Sequence, residues 1–233
     1  MLPDLLFQLG AFRIYTLGAF LAGAYLLSAF IFWRLGRREG FSSDDLFDLV
    51  FSTSLIALVG GRVVFLAVFG GLNSLGALVR VGEGISWVGA LLFGAIAFYL
   101  FVRVKKWSFF RVGDLAVLAL AFGQAVGFLG AELVDYIPYA FYLVLGYLAL
   151  GGFLQLLRRR FSLGVPFFSY LVLSGVFVYF SEWLRPDRAV WAGVNINFAS
   201  GVFLVVLGVA GVAVLSIAKR PSFRVKRKDN GKS

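Results

Sequence analysis

Seven apolar stretches, each about twenty residues long, follow one another along this chain of 233 residues. A helix needs roughly 20 apolar residues to cross the hydrocarbon core of a bilayer. Hydrophobic residues make up 61% of the chain and charged residues only 15%, which is far from the balance of a soluble domain. The sequence therefore predicts an all-α fold, a polytopic membrane bundle of seven transmembrane helices. The predicted spans are 14–33, 47–69, 85–103, 114–134, 138–157, 163–184 and 198–218.

The distribution of basic residues predicts how these helices are oriented. Seventeen Lys and Arg side chains fall in every second connecting segment and in the carboxyl-terminal tail, against four in the remaining segments. Membrane proteins concentrate basic residues on the cytoplasmic side. We therefore expect the amino terminus outside and the carboxyl terminus in the cytoplasm. Residues 1–218 then form a single seven-span transmembrane domain, and residues 219–233 form a basic cytoplasmic tail.

The chain has no histidine and no cysteine. Histidine is the commonest metal ligand and general base, and cysteine supplies thiolates and disulfides. We therefore predict neither a metal centre nor a bound cofactor. The net charge of +10 follows from the segments assigned to the cytoplasmic side, so it does not indicate a nucleic-acid partner.

Arg62 is the only charged residue between positions 54 and 71, and a guanidinium keeps its charge in a protein. The predicted topology places it in the outer half of the second span, at a depth similar to Glu132 and Glu182. Intramembrane charges usually face the bundle interior and pair with one another. One interpretation is a structural cluster of Arg62 with Glu132 or Glu182. The other, which does not exclude the first, is that Arg62 binds an anion, most simply a lipid phosphate.

Three further features of the fourth span have structural interpretations. Asp114, at the inner start of the span, is predicted to cap that helix. Gln124 lies inside an apolar segment and is predicted to bond a neighbouring helix. Gly123, Gly127 and Gly130 fall on one face, and small residues at this spacing let helix backbones approach closely.

Six short segments occur in order along the chain. They are GGR (60–62), GISWVGALLFG (84–94), SFFRVGD (108–114), GFLGAEL (127–133), IPYAFY (137–142) and GVFVYFSEWLRPD (175–187). In order and spacing they resemble motifs of the prolipoprotein diacylglyceryl transferases, and the resemblance covers most of residues 14–218. Those membrane enzymes move the diacylglyceryl group of phosphatidylglycerol onto the lipobox cysteine of a secreted prolipoprotein. The resemblance implies a bacterial-type cytoplasmic (inner) membrane as the location of the chain.

The resemblance also implies a functional site. Its phospholipid-binding residues are Arg62, Gly60, Gly61, Gly84, Ser86 and Gly89. Glu132 and Glu182 are the expected catalytic residues, because they are the groups left to transfer a proton. The implied partners are phosphatidylglycerol or another anionic phospholipid, together with a prolipoprotein substrate.

Apolar residues replace most of the polar groups that the family carries in these motifs. The two family histidines correspond to Val88 and Ile137, and two family arginines correspond to Phe128 and Val178. A family asparagine corresponds to Ala131 and a glutamine to Ala140. The family tyrosine of the first span corresponds to either Leu17 or Thr16. Thiol transfer needs a phosphate-binding charge and a group that takes the thiol proton, so these replacements weigh against catalysis. Three hypotheses stay open: a divergent active transferase, a non-catalytic scaffold that binds phospholipid or a lipoprotein precursor, and a small membrane transporter.

Overall fold

The computed structural model describes residues 5–9, 12–69, 76, 84–137, 140–184, 190–191 and 194–217. Within these residues seven helices are long and apolar enough to cross a membrane, which confirms the predicted bundle. The helices are α1 (Thr16–Arg38), α2 (Ser43–Phe69), α3 (Trp87–Val104), α4 (Phe109–Leu133), α5 (Ala140–Arg160), α6 (Val165–Leu184) and α7 (Ile196–Ile217). The predicted tail, residues 219–233, lies outside the described residues. The orientation of the bundle in the bilayer stays a prediction.

Several helices extend beyond the predicted apolar spans at one end of the bundle. α1 continues to Arg38, α2 begins at Ser43 and α4 begins at Phe109. Polar residues are tolerated there because these turns reach past the hydrocarbon core, and cations at a helix carboxyl end interact favourably with the helix dipole. We call this the basic end of the bundle, since α1, α3 and α5 all end there with arginines in their last turns.

α4 is the central helix of the bundle. It packs against α1, α5 and α6, while α2 pairs with α3 and α6 pairs with α7. One group of buried side chains, which includes Tyr147 and Leu154, fills the space between α4, α5 and α6. A second group, which includes Leu46 and Val102, lies between α1, α2, α3 and α4. Close packing of this kind is the main force that holds helices together in lipid.

Glycines of α4 allow α1 to lie close against it. A Cβ at Gly123 would be 1.8 Å from Ser28 Oγ, and a Cβ at Gly130 would be 2.3 Å from Phe20 Cβ. At Gly127 the nearest atom would be 3.6 Å away, which is an ordinary contact. The predicted packing role of the three glycines is confirmed, and it is strictest at Gly123 and Gly130.

The predicted bond of Gln124 to a neighbouring helix is also confirmed. Tyr170 Oη, in α6, donates a hydrogen bond of 2.7 Å to Gln124 Oε1. Both groups lie among apolar side chains, where an unpaired polar group is costly. The bond therefore fixes α6 against α4.

Asp114 caps a different helix from the one predicted. Its carboxylate accepts hydrogen bonds of 2.9 Å from the backbone N–H groups of Gly164 and Phe167, at the start of α6. The prediction of a cap on its own helix was wrong, because α4 already begins after Ser108 and Asp114 lies in its second turn. Asp114 is 1% exposed, so the cap is an interior contact between α4 and α6.

An ion-pair network joins three helices at the basic end. Glu39, which directly follows α1, pairs with Arg111 of α4 at 2.8 Å and with Arg158 of α5. Burial by itself raises the pKa of the Glu39 carboxyl. The hydrogen bonds and charges of Arg111 and Arg158 outweigh burial and leave this pKa below its ordinary value.

Two short antiparallel hairpins precede α1 and α7. β1 (Leu5–Leu9) pairs with β2 (Phe12–Tyr15), and β3 (Val190–Trp191) pairs with β4 (Val194–Asn195). Neither hairpin was predicted from the sequence, because the strands are too short to show a period. β4 leads directly into α7 and thereby places Asn195 and Asn197 at the start of that helix.

Candidate phospholipid and catalytic site

Arg62 lies on α2, seven residues before the end of the helix, and is 1% exposed. Its Nη1 donates a hydrogen bond of 2.8 Å to the carbonyl oxygen of Gly84. The guanidinium carbon lies 5.4 Å from the centre of the Phe65 ring. Acceptors and aromatic faces of this kind replace the hydration that a buried cation loses. The guanidinium therefore lies in the protein interior and not against lipid.

Gly84 is held in a conformation that requires glycine. Its φ is +135°, a backbone region that other residues rarely adopt. A Cβ at this position would also lie 2.5 Å from Phe65 Cε2. The absence of a side chain therefore lets the Gly84 carbonyl reach Arg62.

The remaining residues of the predicted phospholipid set hold α2 and α3 together. Ser86 N donates to Gly61 O at 3.0 Å, and Ser86 Oγ accepts from Gly89 N at 3.3 Å, which caps α3. A Cβ at Gly89 would lie 2.9 Å from Gly60 O, and a Cβ at Gly61 would lie 3.0 Å from Ser86 O. The structure thus brings all six residues of the set together where α2 meets α3.

Glu182 is buried near the end of α6 and is 3% exposed. Its Oε1 accepts from Asn195 Nδ2 at 2.9 Å, and its Oε2 accepts from Asn197 Nδ2 at 2.8 Å. Both carboxylate oxygens are therefore bonded to side chains at the start of α7. These charge-assisted bonds stabilise a buried carboxylate.

The polar chain continues from Asn197 to α3. Asn197 Oδ1 accepts a hydrogen bond of 2.6 Å from Nε1 of Trp87, the first residue of α3. Glu182, Asn197 and Trp87 thus connect α6, α7 and α3 at the end of the bundle where Arg62 lies. The roles of Asn195, Asn197 and Trp87 were not predicted from the sequence, although two asparagines at the start of an apolar span were a usable signal.

Glu132 has a different role near the end of α4. Its Oε2 accepts a hydrogen bond of 3.1 Å from Phe141 N, in the first turn of α5. A carboxylate at this position satisfies a free N–H group and complements the helix dipole. Within the described residues neither Glu132 nor Glu182 forms an ion pair with Arg62, so the predicted charge cluster is not observed there.

A groove of about 450 Å³ opens between α1 and α4. Its lining is mainly apolar and includes Leu21 and Phe128, with Gln124 and Ser28 as polar members. Arg62 does not line it. Leu21 lies five residues from the start of α1 and Arg62 lies seven from the end of α2, so the part of the groove at Leu21 lies at a depth similar to that of the guanidinium.

An apolar cluster lies at the end of this groove nearest the start of α1. Its buried members are Ala131, Ile137 and Ala140, and Leu17 and Phe128 pack against them. We call these five residues the apolar cluster. Phe128, Ala131, Ile137 and Ala140 are positions at which the family resemblance implies polar groups, and Leu17 is one of the two candidates for a fifth; the fold brings them into one place.

A sequence model of the prolipoprotein diacylglyceryl transferases matches residues 4–135, more than half of the chain. The chain belongs to the prolipoprotein diacylglyceryl transferase family. The match includes α1 to α4, and therefore Arg62 and the glycines around it. The resemblance found in the sequence is confirmed.

Several similar proteins carry the name phosphatidylglycerol–prolipoprotein diacylglyceryl transferase. The one from Clostridium tetani is 27% identical over 134 residues, which are 57% of this chain and 54% of that protein. The one from Bacillus cytotoxicus is 26% identical over 242 residues, 89% of this chain and 90% of that protein. The one from Listeria innocua is 21% identical over 259 residues, 95% of this chain and 92% of that protein. The match thus spans about half of the first relative and nearly all of the other two.

These findings establish the chain as a multi-pass membrane protein of the prolipoprotein diacylglyceryl transferase family. The relatives are named for phosphatidylglycerol and prolipoprotein, so lipid and lipoprotein are the coarse partner classes that the family supports. The described residues hold no group of three or more acidic, histidine or cysteine side chains placed to bind a metal ion.

Proposed function

We propose that this chain binds an anionic phospholipid, such as phosphatidylglycerol, but does not transfer its diacylglyceryl group. The observation that supports this most strongly is the apolar cluster of Leu17, Phe128, Ala131, Ile137 and Ala140. Substitutions that accumulate by simple decay would not be expected to pack against one another. Here they fill one region between α1, α4 and the start of α5 with apolar side chains.

An apolar cluster is poorly suited to thiol transfer from a phospholipid. The reaction needs a group that takes the thiol proton and donors that stabilise developing negative charge. Loss of a positioned acid–base group typically lowers a rate by ~10²–10⁴, and loss of one charge-stabilising donor lowers it by a further ~10²–10³. Together these losses lower turnover by at least ~10⁴.

The two candidate carboxylates do not restore this chemistry. Glu182 is bonded by both Asn195 and Asn197, and Glu132 is bonded by the backbone of α5. Each of these hydrogen bonds holds a helix end in place. We therefore assign both a structural role in this chain.

Arg62 is the residue that we propose meets the lipid phosphate. The fork of a guanidinium matches phosphate oxygens. Gly60, Gly61 and Gly89 have no side chains, so the phosphate approaches the backbone at these positions when α2 and α3 separate slightly. Because Arg62 is 1% exposed and bonded to Gly84, binding requires the segment that begins at Gly84 to move aside. An acyl chain then occupies the groove between α1 and α4.

Transport is less well supported. Many transporters form their binding sites from interrupted helices near the bilayer midplane. The seven helices that the structure describes run without a break. Their continuity favours the scaffold over the transporter.

The absence of catalysis is tested by activity. The full chain and the Bacillus cytotoxicus relative are assayed side by side with phosphatidylglycerol and a lipobox peptide, and each is expressed in a bacterium depleted of its own transferase. We expect no rescue of growth and at least ~10⁴-fold less transfer by this chain. Rescue, or a rate within a hundredfold of the relative, would overturn the proposal.

Lipid binding is tested by native mass spectrometry of the purified chain with phosphatidylglycerol. Arg62→Ala should bind one fewer phosphatidylglycerol molecule, and Arg62→Lys, which keeps the charge without the fork, should bind that molecule with intermediate affinity. Arg13→Ala is the matched control, because Arg13 is an exposed arginine on β2. Unchanged binding by a folded Arg62→Ala or Arg62→Lys variant would remove the phosphate role of Arg62.

A further inference from the structure

Three basic residues lie close together where α3 ends, at the basic end of the bundle, and they have different partners. Lys105 forms an ion pair with Asp45 of α2. Arg103 lies against the Tyr99 ring, with its guanidinium carbon 5.9 Å from the ring centre. Neither Arg103 nor Lys106 has a carboxylate partner within the residues that the structure describes. Among the residues that the structure describes, these two cations therefore have no paired anion.

Arg103 and Lys106 line the same open concavity. The other residues of its wall are Val104 and Trp107. Both cations are exposed, and the backbone of Lys106 has a φ of +56°. We call the concavity formed by these four residues the basic pocket.

The wall of the basic pocket is rigid on its aromatic side. The Trp107 ring lies 4.5 Å from the Phe41 ring and 6.1 Å from the Phe101 ring, centre to centre. Aromatic contacts of this kind hold the indole in place. Its N–H group has no acceptor among the described residues, so it adds a third donor beside the two cations.

The position of the basic pocket along α3 indicates what it meets. Val104 is the last residue of a membrane-spanning helix and is 79% exposed, which suits a side chain that faces lipid. Tryptophan is enriched at the level of the lipid headgroups, and basic side chains near a membrane end attract anionic lipids. The pocket therefore lies where hydrocarbon gives way to phosphate.

We propose that the basic pocket binds the phosphate of an anionic phospholipid headgroup, through Arg103, Lys106 and the Trp107 N–H group. Val104 contacts the glycerol and the first part of an acyl chain. This site is separate from the one at Arg62, because α3 extends about 26 Å between its first and last residues and Arg62 lies beside the first. The proposal does not depend on the proposed function.

The test measures the affinity of the detergent-solubilised full chain for phosphatidylglycerol by native mass spectrometry. We expect Arg103→Gln/Lys106→Gln to bind one fewer phosphatidylglycerol molecule at low lipid concentration, with an affinity at that site reduced roughly 30-fold. Phosphatidylcholine, which has no net charge, should bind the native chain and the variant alike. The same loss of affinity on Arg103→Gln/Lys106→Gln substitution is expected in a chain that also carries Arg62→Lys. A loss at the basic pocket is thereby distinguished from a loss at the proposed Arg62 site.

The matched control removes two charges from the same end of the bundle but leaves the basic pocket intact. In Lys105→Gln/Arg160→Gln one lost cation is already paired with Asp45 and the other is an exposed residue at the end of α5. We expect its affinity for phosphatidylglycerol to stay within about threefold of the native chain. An equal loss in both double variants would show general charge attraction and overturn the proposal.

Two further outcomes bear on the ligand. Inorganic phosphate that displaces the lipid at equal concentration would show that the pocket binds a free anion, and would overturn the lipid assignment. Trp107→Phe keeps the ring and removes the N–H group, so we expect a smaller loss of affinity than in the double variant, about threefold to tenfold. No loss in the Arg103→Gln/Lys106→Gln variant would overturn the proposal altogether.

Discussion

Asp114 and Gly164 are fifty residues apart, and a hydrogen bond of 2.9 Å joins the carboxylate of the first to the backbone N–H group of the second. A second bond from Phe167 N uses the other carboxylate oxygen. The start of α6 is therefore capped by a side chain of α4. A cap supplied by a neighbouring helix fixes the position of α6 as well as its first turn.

Replacement of Asp114 by alanine should therefore destabilise the bundle. Two buried N–H groups lose their acceptor, and each unsatisfied group costs about 1–3 kcal/mol. We expect Asp114→Ala to lower the free energy of unfolding by about 2–4 kcal/mol, measured by denaturation in detergent. Asp114→Asn keeps one oxygen and should lose less. An exposed carboxylate on α2, Asp48, provides the control Asp48→Asn, and equal losses at both sites would contradict the interpretation.

The contact between α1 and α4 can be tested with glycine variants of matched size. Gly123→Ala places a Cβ 1.8 Å from Ser28 Oγ, whereas the same change at Gly127 meets nothing closer than 3.6 Å. Forced displacement in a close-packed interface typically costs about 1–3 kcal/mol. We expect Gly123→Ala to lower the melting temperature of the detergent-solubilised protein and Gly127→Ala to leave it nearly unchanged. Similar effects in the two variants would mean that α1 is not held at this distance.

The network around Glu39 predicts a pH dependence of stability. The pKa of this carboxyl is lower in the folded protein than its ordinary value of 4.5, so the folded state binds the proton more weakly than the unfolded state. The stabilisation that the ionised Glu39 carboxylate gives to the folded protein is therefore complete above about pH 4.5. This stabilisation is lost as the pH falls through the lower pKa of the folded state. Thermal unfolding between pH 7 and pH 3 should show this loss for the native chain. Glu39→Gln should be less stable at pH 7 and should show a smaller change with pH.

The two candidate carboxylates should differ in their importance for folding. Glu182→Ala leaves the amides of Asn195 and Asn197 without their acceptor in a buried region, whereas Glu132→Ala removes one backbone contact of a partly buried side chain. We expect the first change to cost about 2–3 kcal/mol and the second about 1 kcal/mol. Susceptibility of the detergent-solubilised protein to limited proteolysis should follow the same order. A larger effect of Glu132→Ala would contradict the assigned contacts.

The helices were predictable because a bilayer imposes one length and one composition on every span. The role of Gln124 followed from the same reasoning, since a polar amide in lipid must bond a neighbouring helix. The ends of the helices were less predictable. α4 begins at Phe109 and not at residue 114 because its first turn lies beyond the apolar core, where hydropathy carries no signal.

The candidate site was only partly predictable. Arg62 and its glycines were found because a charge in an apolar stretch is rare. The partners of Glu182 were missed because Asn195 and Asn197 approach it only through a short hairpin. Glu39 was missed because residues as distant as Arg158 meet it only in the folded bundle.

The close contact of α1 with α4 also has a consequence for biosynthesis. α2 can join α3 as soon as both have left the ribosome, but the face of α1 around Ser28 has to wait until α4 is made. At 5–20 residues per second, that delay lasts roughly 5–20 s. During that interval the first helix resides in the bilayer without its principal neighbour.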